Sequence, residues 1–104
     1  MTGAKAPSGL PMMDRIRRIF MVGIGGSGMS GIAEVLARQG YEVSGSDLQE
    51  SPVLDRLRGL GVAVHIGHSE SHVAGVDVLV TSGAIRSDNP ELVAAKAARI
   101  PVVP

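Results

Sequence analysis

Ile19-Phe20-Met21-Val22-Gly23-Ile24-Gly25-Gly26-Ser27-Gly28-Met29 decides how this chain folds. A run of strand-forming apolar residues meets three glycines at G-x-G-x-x-G spacing, and helical periodicity follows. Gly23 suits a sharp break in the strand, Gly25 a close approach of backbone to ligand, and Gly28 tight packing of helix on strand. The helix then points unpaired N–H groups and the positive end of its dipole at the turn, which favours a phosphate. Three spaced glycines are a weak signal in a chain with 14 glycines among 104 residues. Their strand–turn–helix context gives them weight.

The flanks extend this unit into a series. Residues 1–14 lack periodicity and read as a flexible leader, so the folded domain is expected over 15–104, with Arg15, Arg17 and Arg18 as a solvated edge. The first strand, Arg18 to Val22, is an uninterrupted apolar string suited to burial on both faces. The first helix is expected from Ser27 to Gln39, with Met29, Ile32, Ala33, Leu36 and Ala37 facing the core and Gly40 as a left-handed cap. Tyr41 to Ser46 reads as strand two. Ser51-Pro52 opens a helix whose buried side is Val53, Leu54, Leu57 and Leu60, ending at Gly61. Val62 to Ile66 reads as strand three, Ser69 to Val73 as a helical turn or two, and Val76 to Thr81 as strand four. Asn89-Pro90-Glu91 supplies a cap, a first-turn proline and an acid favourable to the dipole of a helix running to about Arg99, and Ile100 to Val103 reads as strand five. This alternation predicts an α/β, Rossmann-like three-layer sandwich with a five-stranded parallel sheet, order 3-2-1-4-5. Ligands bind such sheets at the carboxyl ends of the strands, where the winding reverses between strands one and four.

Bulk properties narrow the function. Ten basic and ten acidic residues give zero formal charge, which argues against nucleic acid or an anionic membrane as the main partner. The absence of cysteine excludes disulfides, thiol nucleophiles and cysteine metal sites. No apolar run approaches the ~20 residues of a membrane span, and the start lacks the apolar core of a signal peptide. A cytoplasmic location is expected.

Four loops converge at the ligand edge: Gly23–Met29, Ser46–Asp47, Gly67–His68 and Ser82–Ile85. Asp47 follows Gly28 by 19 residues, where a dinucleotide fold places an acid for ribose hydroxyls. A carboxylate repels a diphosphate, so sugar or base is its sensible partner. His68 is placed to donate to a phosphate or a base carbonyl, whereas His65 and His72 read as structural. Three histidines without matching carboxylates make no metal site. No serine has a visible histidine–acid relay, and no G-x-x-x-x-G-K-[ST] loop appears, so no catalytic residue is expected.

The stretch Val22-Gly23-Ile24-Gly25-Gly26-Ser27-Gly28-Met29-Ser30-Gly31-Ile32-Ala33-Glu34-Val35-Leu36 resembles the opening motif of the Mur ligases, in the branch that joins L-alanine to UDP-N-acetylmuramate. The resemblance continues through Ser44-Gly45-Ser46-Asp47, Gly67-His68, Ala84-Ile85, Asp88-Asn89-Pro90-Glu91 and Ala98-Arg99-Ile100-Pro101-Val102. It implies a first domain that holds the uridine diphosphate of the substrate in peptidoglycan biosynthesis. ATP, Mg2+ and L-alanine would engage an ATP-binding domain and a C-terminal ligase domain outside this sequence; the piece itself needs no cofactor. By position, Gly25, Gly26, Ser27, Gly28 and Met29 would cradle the diphosphate. Ser46, Asp47 and His68 would meet the uridine, and Ser82, Ala84 and Ile85 would wall the site. Gly83 stands where the family is expected to carry a second serine.

Two other readings use the same residues: the NAD(P)-binding domain of a dehydrogenase, and a regulatory nucleotide-sensing module. On the leading reading, and with no phosphate loop of its own, the purified chain is expected neither to hydrolyse ATP nor to ligate alanine. Phosphate release above background in a coupled assay would contradict this.

Overall fold

A computed structural model describes residues 16–104, and the leader expected over 1–14 lies outside these residues. The element order is β1 (Arg18–Val22), α1 (Ser27–Arg38), β2 (Glu42–Asp47), α2 (Pro52–Gly59), β3 (Ala63–Ile66), a 3-10 turn (Glu70–Val73), β4 (Val78–Val80), α3 (Pro90–Ala97) and β5 (Val102–Val103). All pairings are parallel and the sheet order is β3-β2-β1-β4-β5, as the alternation predicts.

β1 generates the layers. Its residues alternate between faces, as side chains in a strand must. Ile19 and Met21 join a core with Ala33 of α1 and with Leu54 and Leu57 of α2. Phe20 and Val22 join a second core with Val73 of the 3-10 turn and with Leu92 and Ala95 of α3. Both cores are needed because a parallel sheet with helices on both faces exposes neither side.

Local chemistry fixes the helix ends. Ser51 accepts from the Leu54 N–H to cap α2, and Asn89 accepts from the N–H groups of Glu91 and Leu92 to cap α3. Gly40 follows the C-cap of α1 with φ +98°, which only glycine adopts without strain. On the outer surface Glu34 of α1 accepts from Arg38 and from Arg56 of α2, clasping the two helices. These two guanidinium groups, Arg56 foremost, hold the Glu34 carboxyl below its ordinary range. The clasp therefore contributes at neutral pH and is lost as pH falls through that lowered value.

Three packing expectations change. Ile32 is 50% exposed and Val53 38% exposed, so neither belongs to the core. β4 and β5 are shorter than their apolar runs. Finally, no helix–strand close approach occurs at Gly28, where an added Cβ meets nothing within 4 Å. The crowded glycine is Gly45, paired with Met21 across β1 and β2 and packed under the turn at Ile24. A Cβ there would lie 2.5 Å from the Met21 carbonyl oxygen and 2.7 Å from Ile24 Cβ.

Gly45→Ala is thus expected to destabilise the fold by about 1–3 kcal/mol through overpacking. Gly28→Ala is expected to add about 0.5–1 kcal/mol, from better helix propensity. Urea denaturation of both variants checks this, and a Gly28→Ala variant less stable than Gly45→Ala would contradict it.

Candidate functional site

The glycine turn is pulled taut from below. Ile24 is fully buried in the α1/α2-side core. On either side of the turn, hydrogen bonds return to the neighbouring strand: the N–H groups of Gly23 and Ile24 both donate to the Ser46 carbonyl, at 2.8 and 3.0 Å. Gly23 makes the bend with φ +74°, as its place at the strand end predicts. The Gly26 N–H closes the turn onto the Gly23 carbonyl at 3.0 Å.

Gly26 is also the N-cap of α1, and α1 has neither a side-chain cap nor an acid in its first turn. Ser27, Gly28 and Met29 form that first turn. Their N–H groups cannot bond within the helix, so the dipole's positive end opens to the site.

What approaches Gly25 is a side chain of the protein itself. Asp47 Oδ2 accepts from the Gly25 N–H at 2.8 Å, and its Oδ1 accepts from the Leu48 N–H at 2.8 Å. A Cβ on Gly25 would lie 2.7 Å from Asp47 Oδ2 and 3.2 Å from Leu54 Cδ2. The glycine is required by this internal contact, and Asp47 braces the loop. Its charge is committed to main-chain donors. The other acid here, Glu50, is held by two hydrogen bonds from Arg58, at 2.7 and 3.0 Å, which keep its carboxyl below the ordinary range.

Seven of the expected residues line one cavity of about 410 Å³: Gly25, Gly26, Met29, Asp47, Ser82, Ala84 and Ile85. His68 lines an adjoining cavity of about 340 Å³, which shares Ala84 and Ile85 with the first and is flanked by Leu48 and Pro90. Ser46 departs from expectation. It is fully buried, and its hydroxyl donates to Glu91 Oε1 at 2.6 Å, so it supports the site from beneath.

Glu91 is the residue that sequence reasoning missed. It was expected only to favour a helix dipole, yet it is fully buried and gathers donors from three elements. Its Oε1 faces the Ser46 hydroxyl and His68 Nδ1 (2.9 Å); its Oε2 faces His72 Nδ1 (2.5 Å) and the Ser69 N–H (3.2 Å). The expected lack of a carboxylate for the histidines is therefore corrected. Even so, no group of three or more such side chains suited to a metal exists among the described residues. His72 also stacks on His65, with ring centroids 4.1 Å apart. Burial, reinforced by His72, pushes the His65 imidazole below its ordinary value of 6.5. Stability is thus retained above that value and declines as pH falls from there toward the lowered folded one.

Asp47→Ala is expected to free the Gly25 N–H and cost about 1.5–3 kcal/mol, the range for hydrogen bonds to a charged group. Gly25→Ala should produce a similar loss by displacing the same carboxylate. Chemical denaturation with amide exchange at Gly25 reads both, and an unchanged stability with a protected Gly25 amide would contradict the bracing role.

Among the described residues no helix is long and apolar enough to cross a membrane. Residues 18–104 match the model of the Mur ligase family, catalytic domain. The chain is 61% identical over 93 residues to a UDP-N-acetylmuramate–L-alanine ligase of Acidovorax sp. (strain JS42), covering 89% of this chain and 20% of that relative. The enzyme of the same name from Bordetella petrii is 63% identical over 93 residues, with the same coverage. The crystal structure of a UDP-N-acetylmuramate–alanine ligase from Thermotoga maritima superposes with a TM-score of 0.79 at 37% identity, over 83% of this chain and 20% of that one. The chain therefore spans about a fifth of the length of the curated relatives it matches. A sheet of order 3-2-1-4-5, a glycine turn opening onto an uncapped helix, and a family match over nearly all the described residues agree: this chain belongs to the Mur ligase family.

Proposed function

We propose that this chain is the uridine-diphosphate-binding part of a cytoplasmic ligase that joins L-alanine to UDP-N-acetylmuramate in peptidoglycan biosynthesis. The observation that carries this reading is the pair of adjoining cavities. One opens at the uncapped N-terminus of α1 and the other at His68, and Ala84 and Ile85 wall both. A diphosphate at the first accepts from the N–H groups of Ser27, Gly28 and Met29, where the helix dipole favours negative charge. The nucleoside then extends over Leu48 and Ile85 toward His68.

Asp47 holds the loop in shape for the diphosphate, with its own charge offset by the Gly25 and Leu48 N–H groups. In the complete ligase, ATP phosphorylates the lactyl carboxylate and releases ADP. The amine of L-alanine then displaces phosphate from the acyl carbon, forming the amide. These residues offer no phosphate loop, so ATP, Mg2+ and L-alanine are assigned to parts of the protein outside this sequence. The dehydrogenase reading is weakened by Asp47: the acid that a dinucleotide fold keeps for ribose hydroxyls here already accepts from main chain at both oxygens.

UDP-N-acetylmuramate, and more weakly UDP, is expected to raise the melting temperature, because a ligand that binds only the folded state stabilises it. At about 100 times the dissociation constant the gain is about 2.7 kcal/mol, and each kcal/mol is worth about 4–8 °C in a domain of this size. NADH and NADPH should give no comparable shift. Stabilisation by NADH with none by UDP-N-acetylmuramate would reverse the assignment.

A further inference from the structure

We propose that Glu91 is a positioning residue that fixes which ring nitrogen of His68 carries the proton, and thereby selects a ligand edge that donates a hydrogen bond. The selectivity rests on the reading that the His68 cavity takes the base of a uridine nucleotide.

The geometry begins with burial. Glu91 is fully buried, and none of its hydrogen-bond partners is a lysine or arginine. An ionised carboxylate in such a place is costly unless donors surround it. Two partners fix the pattern. The Ser69 main-chain N–H can only donate, and it faces Oε2; the Ser46 hydroxyl donates to Oε1. His68 Nδ1 and His72 Nδ1 approach one oxygen each, and His68 Nδ1 also lies 2.9 Å from the Ser46 hydroxyl oxygen, whose own hydrogen is directed at Oε1. An ionised carboxylate only accepts, so both histidines present Nδ1–H to it. The second nitrogen of a neutral imidazole is then an acceptor. His68 therefore offers Nε2 as a lone pair.

That polarity discriminates between pyrimidines. Uracil carries a hydrogen on ring N3, whereas N3 of cytosine is itself an acceptor. An Nε2 lone pair pairs with the first and leaves two acceptors opposed with the second. Discrimination by one such contact is large when the unmatched groups stay unpaired in a confined site.

Glu91→Gln separates positioning from bulk. Glutamine keeps the shape but has one acceptor oxygen and one NH2 donor, so it cannot accept from His68 and His72 together. Long-range 15N–1H NMR on histidine-labelled chain reads the tautomers, and calorimetry with UDP and CDP reads the selectivity. In the wild-type chain His68 is expected as Nδ1–H, with UDP bound at least about tenfold more tightly than CDP. In Glu91→Gln the Ser69 N–H keeps the amide oxygen on its own side, so the NH2 faces His68, which should shift to Nε2–H, and the UDP-to-CDP ratio should fall toward one.

A wild-type His68 protonated at Nε2 overturns the inference, as does a Glu91→Gln variant that keeps the His68 tautomer and the full ratio. A merely structural role would weaken UDP and CDP equally, and that result also overturns it. Should Glu91→Gln not fold, the wild-type tautomer decides alone. Absence of UDP binding by the wild-type chain overturns the nucleotide reading and the selectivity with it, while the tautomer spectrum still reports whether Glu91 governs His68.

Discussion

Ser46 ties the two layers of the molecule together at the carboxyl edge of the sheet. Its carbonyl takes the N–H groups of Gly23 and Ile24, which fixes the glycine turn on one side. Its hydroxyl donates to Glu91, which fixes α3, the 3-10 turn and His68 on the other. One residue thus sets the spacing between the helix terminus that would meet a diphosphate and the histidine that would meet a base. The neighbouring Gly45 makes this possible, because any side chain there would push Ile24 and the turn away from β2. The site is built by how closely β1 and β2 approach, and its loops inherit that geometry.

Glu91 adds an electrostatic constraint to the steric one. Removing the partners of a buried charge typically costs about 3–5 kcal/mol, because the charge stays behind uncompensated. Four donors from β2, the loop after β3 and the 3-10 turn must therefore converge on it for the chain to fold. A group that demands this convergence also keeps the histidine in one orientation. Stability and preorganisation here have the same source.

The sheet order was legible because the central strands β1 and β4 are apolar runs and α2 and α3 carry their own punctuation. Ser51-Pro52 and Asn89-Pro90 both start helices where their chemistry predicts. The loops that carry Asp47, His68 and Ala84-Ile85 follow from that order, so seven expected residues share one cavity and His68 lines the one beside it. Reasons were harder to read than positions. Gly28 fits the spacing of a packing glycine, yet what lies across from a glycine depends on strand register, and Gly45 faces the crowded side. Glu91 satisfies a local rule about helix dipoles, which hid its long-range role: Ser46 is 45 residues away in sequence. Ile32 keeps helical spacing with Met29 and Leu36 but lies on the rim of the buried stripe, where periodicity alone places the boundary poorly.

Amide chemical-shift mapping with UDP-N-acetylmuramate locates the ligand on the chain without presuming its pose. The largest changes are expected at the amides of Gly26, Ser27, Gly28 and Met29, with a second group around His68 and Ile85. Changes confined to the opposite end of the sheet, around the cavity lined by Arg18, Glu42 and Gly61, would contradict it.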